Sequence, residues 1–466
     1  MTSRLGSPHI VTGRVAVILA SLLIVTSGAA PAAGASVKSC RVTNADSGQT
    51  HTRAQHAVNA AKPGARLVVS GICYGGTVID RDLVLEGFQT ADSGRPMLSG
   101  AGRVRVLTIE SGVRVKVRGL VILRGQAFRG AGIRNRGNLV LRDVIVRHCR
   151  TSGYGKGGGV HNTGRLTLNG SSRIGGNVSF VGPGGVLNEG TLVLNGASRI
   201  SRNGADRGGG VENLGTLTMN AASAISDNRA VYTGGVWNMG VLIMNDSSSI
   251  TRNYSQYTGG VENLRGATLT LNDTSSISGN TGEDWGGSVG GVRNYRRGTV
   301  TLNDSSSISD NAGSGVSSGG AVTMNDSTTI SGNTWWLGGG GVSIYGMGSL
   351  TMDDSSSVGG NEAAWGGGVW IGGRKGTLTM NDASALTDNQ ADETGGGVHL
   401  VGGTVRMTGA ASISGNTAQG LEDEGGQPGE GGGLYRAGGR LRGATCGPGG
   451  NVYGNTPDDC FVRSQR

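Results

Sequence analysis

Proline is scarce in this chain, at 8 of 466 residues, and aromatic residues reach only 4%. The shortage of proline, with no Gly-X-Y period, excludes collagen. Charged residues are also few, at 16%. No apolar run beyond residue 35 approaches the ~20 residues that a membrane-spanning helix requires, so the mature chain is expected to be soluble and not membrane-spanning. What the chain does have is glycine: 91 residues, close to one in five against a usual ~7%. Glycine in a helix interior costs roughly 1 kcal/mol relative to alanine, which argues against a helical protein. Plain disorder fits no better, because Val, Ile and Leu return at fixed places between the glycines. Short strands punctuated by glycine, repeated many times, account for all of this.

Residues 1–35 read as a secretory signal. Arg4 and Arg14 give the positive flank, Val15 to Val25 an apolar run, and Ala33-Gly34-Ala35 an A-x-A-like cleavage site. A secreted protein, extracellular or associated with the cell surface, is the expectation. Five cysteines then enter an oxidising compartment. Cys40 and Cys73 lie near the start, Cys446 and Cys460 near the end. Pairing within each section is the simplest of three connectivities and would staple both ends. Cys149 is left over.

From residue 133 a pattern returns about every 25 residues, as in GGGVENLGTLTMNAASAISDN (208–228). The leading valines Val160, Val186, Val211, Val236 and Val261 are spaced 26, 25, 25 and 25 apart. Such a period signals a solenoid. Each copy holds three short strand signals: V-x-N, TLTLN and SSISxN. Alternation in TLTLN gives one apolar and one polar face. Strands this short cannot form a core alone, but stacked coil on coil each pairs with its equivalent one turn later. The expectation is an all-β parallel β-helix of about fourteen three-strand coils, a rod of about 65 Å. The recurring asparagines are expected to stack in hydrogen-bonded ladders, and Cys149 occupies a ladder position that points inward. Residues 36–63 read as an N-terminal cap with a short helix over 51–61, residues 64–440 as the β-helix, and 441–466 as a C-terminal cap.

These coils resemble right-handed parallel β-helices of the pectate-lyase-like superfamily. The GGGV…ISxN spacing is similar to the repeat of chlamydial polymorphic outer-membrane proteins, although Ile stands where that family has Phe. The opening AQHAVNAAKPGARLVVSGICYGG resembles the entry segment of many secreted bacterial β-helix proteins. This resemblance covers about residues 50 to 455 and implies the fold more strongly than a function, since the scaffold hosts lyases, hydrolases and adhesins.

Charge divides the chain unevenly. Residues 36–150 carry 19 Lys/Arg and 7 Asp/Glu, while residues 151–466 carry 20 and 25. Arg103, Arg105, Arg114, Lys116 and Arg118 alternate with valine, which predicts a shared outer face. That strip suits an acidic polymer, or simply a solvated surface. No nucleic-acid-binding motif accompanies it. Catalytic signatures are equally wanting: no G-x-S-x-G, P-loop or HExxH occurs, and the histidines lack ligand spacing. No cofactor and no catalytic residue is assigned. Asp246, Asp273, Asp304, Asp326, Asp354 and Asp382 recur in one turn; capping of that turn competes with calcium binding, for which Asp304 and Asp326 are the candidates.

Aromatic residues give the better lead. All six tryptophans lie between 237 and 370. Tyr232, Tyr257, Trp285, Trp335, Trp336 and Trp365 fall in the loop before successive GGV elements, and Trp370 follows a leading valine. Rings in register along a rod form a platform for sugars; the competing reading has them covering glycine backbone. The expectation is a monomeric, adhesin-like binding protein for a polysaccharide or surface glycan, with no nucleic-acid partner. The alternative is a polysaccharide lyase or glycoside hydrolase acting on an acidic polysaccharide.

Overall fold

Three strand types recur along the chain, and each pairs with its own kind one period later. In the computed structural model, residues 39–89, 94–283, 288–421 and 427–463 are described; the signal segment and Trp285 lie outside them. The V-x-N strands build a sheet of 15 strands, from Thr77–Ile79 to Cys460–Val462. The S-I-S strands build a second sheet of 15, from Ile72–Tyr74 to Val452–Tyr453. TLTL strands form the third, parallel from Arg66–Ser70 to Arg440–Arg442 and begun by the antiparallel strands Arg41–Asn44 and Thr50–His51. The result is an all-β parallel solenoid of about fourteen turns.

Register follows from which side chains go inward. In Thr268–Leu271 the leucines Leu269 and Leu271 are fully buried and the threonines are not. Val261 and Asn263 point inward, as does Ile277 of Ser276–Ser278. Valine, leucine and isoleucine stack on their equivalents in neighbouring coils, so one apolar column runs the length of the rod. No hairpin of these strands could hide so much apolar surface by itself.

The glycine content has a steric cause. A Cβ on Gly210 would lie 2.7 Å from Cγ2 of Ile225 and 2.8 Å from the carbonyl oxygen of Gly235, one coil on. The doubled glycine before most of the leading valines is where consecutive backbones approach too closely for a side chain.

Asparagine forms three ladders. One runs Asn135, Asn162, Asn188, Asn213, Asn238, Asn263, Asn294, each Nδ2 donating to the next Oδ1 at 2.7–2.9 Å, and finishes on Ser318 Oγ. A second runs from Asn177 to Asn455, and its amides also accept the backbone N–H of the preceding asparagine. The third, through Asn169, Asn195 and Asn220, is half-exposed and donates in the opposite direction along the rod. Asp353 interrupts it: a carboxylate accepts from Asn381 at 2.6 Å but has no proton for Asn325.

Both ends carry a disulfide, Cys40–Cys73 and Cys446–Cys460, as the pairing within each section anticipates. Helix Ala54–Ala60 turns Ala54, Ala57 and Val58 onto the first strands. Among the described residues no helix is long and apolar enough to cross a membrane.

Candidate functional site

One position of each V-x-N strand faces outward, and these positions form a single row because the strands are in register. The row runs from Arg134 and His161 through Leu187, Glu212, Trp237 and Glu262. It continues through Ser317, Ser343, Trp370, His399, Tyr435 and Phe461. Alongside it, the loops before GGV add short parallel strands: Gly204–Ala205 to Thr281–Gly282 in one group, and Thr334–Gly338, Glu362–Trp365, Gln390–Thr394 and Thr417–Ala418 in another. The row and its flanking loops make one face of the rod.

The candidate aromatics divide into two groups on this face. Tyr232 and Tyr257 stack at 5.4 Å, Trp237 stands 6.3 Å from Tyr232, and Arg207 lies over both Tyr232 and Trp237. That first group already holds a cation on its rings.

Trp335, Trp365 and Trp370 form the second group. With Leu337, Gly338, Ser288, Ser314, Ser317 and Ser343 they line a pocket of about 230 Å³. Trp365 is fixed by its Nε1, which donates to Glu393 Oε2 at 2.7 Å. Ser288 is buried and its hydroxyl has no hydrogen-bond partner among the described residues. Trp335 and Trp336 point to opposite sides of one strand: Trp335 is 9% exposed and Trp336 49%. Trp370 lies against Gly338 and Gly372, where a Cβ on Gly338 would meet Trp370 Cγ at 2.9 Å. Covering glycine therefore describes Trp370; Trp335 is buried and Trp336 is open. Beyond Trp335 a second cleft of about 380 Å³ is lined by Trp336, Thr334, Glu362 and Asp392.

Next along the row, His399 holds Thr394 Oγ1 at 2.7 Å through Nδ1 and leans on Tyr435 at 4.7 Å. Burial lowers its pKa to about 4, so it is neutral at physiological pH. Tyr435 in turn stacks on Phe461 at 5.5 Å.

The carboxylates of the row are enclosed. Glu212 is 4% exposed and takes Lys156 Nζ at 3.0 Å; Glu262 is 8% exposed and accepts from Thr233 Oγ1 and, at 3.0 Å, from the Tyr295 hydroxyl. His161 is buried and bonded to Glu189 at 3.0 Å; burial lowers its pKa, against the opposing pull of Glu189.

The basic strip is not one surface. Arg114, Lys116 and Arg118 are exposed on the TLTL-type strand Arg114–Arg118. Arg103 and Arg105 lie in the turn that enters the V-x-N sheet, and Arg105 is tied down by donating to Gly130 O at 3.0 Å and Arg129 O at 2.9 Å. Strand Leu107–Ile109 and the turn around Gly112, at φ 80°, lie between Arg105 and Arg114 and separate what the alternation joins. The aspartate row also differs in detail from self-capping. Each carboxylate accepts the backbone N–H of its equivalent one coil earlier, Asp273 N to Asp304 Oδ2 and Asp304 N to Asp326 Oδ2, both at 2.9 Å. Among the described residues no three His, Cys, Asp or Glu side chains gather as a metal site.

Sequence reasoning missed Ser288, Ser314, Ser317, Ser343, Glu362 and Asp392. The signal was available for two of them: Ser317 and Ser343 occupy the same outward position as Trp370. No known protein family matches the chain, and no curated protein matches it either.

Proposed function

We propose that this chain is a secreted, non-catalytic, adhesin-like protein that presents one face of a right-handed parallel β-helix to a glycan outside the cell. The observation that carries this is the pocket where Trp335, Trp365 and Trp370 meet Ser317 and Ser343, beside Ser314, whose own hydroxyl donates to Gly339 O at 2.7 Å. A sugar ring has apolar faces and a rim of hydroxyls, which flat indoles and serines complement. Enclosure of Glu212 and Glu262, both committed to internal partners, favours binding over a hydrolase or lyase.

The finer architecture belongs to the same reading. A parallel strand reached by a crossover in one sheet is right-handed in about 98% of cases, which supports the pectate-lyase-like hand; the three long sheets support three strands to a coil. Helix Ala54–Ala60 acts as the cap that covers the first edge. Two disulfides and the segment 1–35 support export.

Ser343→Phe tests the pocket, because it fills the space without removing a core contact. On a glycan array the native protein should retain at least one glycan class, and Ser343→Phe should lose it with an unchanged melting temperature. No retention by the native protein, or equal retention by the variant, would overturn the proposal.

A further inference from the structure

Trp335 separates two cavities of different character. On one side is the pocket of Trp335, Trp365 and Trp370, lined also by Ser317 and Ser343; on the other, the cleft beside Trp336 is lined by Glu362 and Asp392. Those two acids come from adjacent rungs of one small parallel sheet, in which Glu362 pairs with Gln390 and Ala363 with Ala391. Among the described residues neither enters an ion pair with Lys, Arg or His. The contrast with the first aromatic group is direct: there Arg207 lies over Tyr232 and Trp237, whereas here carboxylates stand beside an open indole.

An exposed indole face attracts a cation through its ring quadrupole, and two carboxylates at its edge add charge of the same preference. An acidic sugar would meet repulsion at this point, and a neutral one would leave both carboxylates uncompensated. We propose that the cleft beside Trp336 takes a protonated amine, so that the glycan of this protein is an amino sugar polymer with free amines. One residue of it would lie in the serine-lined pocket and the ammonium of the next against Trp336, Glu362 and Asp392. This deepens the glycan-binding reading and rests on it.

Calorimetric titration with three probes tests the inference: glucosamine oligomers, their N-acetylated counterparts and oligogalacturonate. Glucosamine oligomers should bind at least about tenfold more tightly than the acetylated ones, as expected for losing one charge-assisted contact. Their affinity should fall as pH rises through the amine pKa. Glu362→Gln combined with Asp392→Asn should remove this preference while leaving the melting temperature unchanged. Equal binding of free and acetylated oligomers, or tighter binding of oligogalacturonate, overturns the amine assignment and leaves the glycan reading standing. If none of the three binds and the array is also blank, the glycan reading itself fails.

Discussion

At the scale of single residues, burial decides which groups are chemically active. Cys149 is 1% exposed; its sulfur accepts from Gly125 N at 3.3 Å, and its backbone N–H donates to Asn177 Oδ1 at 3.0 Å. Burial pushes its thiol pKa up to about 12, so almost no thiolate exists near neutrality. A thiol reagent at pH 8 should leave the native protein unlabelled and modify one cysteine only on unfolding; rapid native labelling would contradict the inward placement. His399 makes a prediction in the other direction. Its folded pKa of about 4 lies below the ordinary 6.5, so the unfolded chain takes up the proton first as pH falls. Its contribution to stability is complete above about pH 6.5 and is lost on descending toward pH 4, by an amount on the order of 2–3 kcal/mol. His399→Gln should flatten that part of a plot of melting temperature against pH. An unchanged slope would place the acid sensitivity elsewhere.

Among elements, the ladders rank the asparagines by what water can replace. Asn253 Oδ1 accepts from the N–H and the Nδ2 of Asn228, and its own Nδ2 donates to Ile225 O and Asn280 Oδ1. All of these groups are buried, so Asn253→Ala strands several of them. We expect a loss of about 3 kcal/mol or more in denaturant unfolding. Asn220 stands in the half-exposed ladder, where solvent can take the place of its partners, and Asn220→Ala should cost about 1 kcal/mol or less. Equal losses would mean that the two ladders are energetically alike. These elements were legible in the sequence because each coil repeats its inward residues: Val261, Asn263, Leu269, Leu271 and Ile277 each follow from period and alternation. The site was less legible. It depends on outward residues and loop lengths, which vary from coil to coil, and on which loops reach the same place. Trp335 and Trp336 are neighbours in sequence, yet only one is buried, and no periodicity in the loop distinguishes them. Arg105 shows the same limit, since strand Leu107–Ile109 and the turn at Gly112 separate it from the basic strand that its alternation suggests.

For the whole molecule, linear stacking makes stability local. A coil contacts chiefly its immediate neighbours, with single bridges such as Lys156–Glu212 reaching one coil farther, so disturbance at one end need not unfold the rod. Cys446–Cys460 closes a separation of 14 residues and Cys40–Cys73 one of 33. By loop-closure entropy each stabilises its end by roughly 3–4 kcal/mol. Mild reduction should therefore raise hydrogen exchange in the first and last coils while protection around Val236 to Ile277 persists; uniform loss of protection would show that the rod unfolds as one unit. The closing ladder has a further consequence. Its final amide, Asn455, gives its backbone N–H and its Nδ2 to a single carboxylate oxygen of Asp459, at 3.0 and 3.1 Å. Stacked parallel strands with asparagine columns are also the lattice of amyloid fibrils, which lengthen by templating one chain after another. A carboxylate has no proton to offer an incoming chain and places a negative charge where an amide would have to dock. Asp459 thus ends the asparagine ladder on a group that an incoming amide cannot extend.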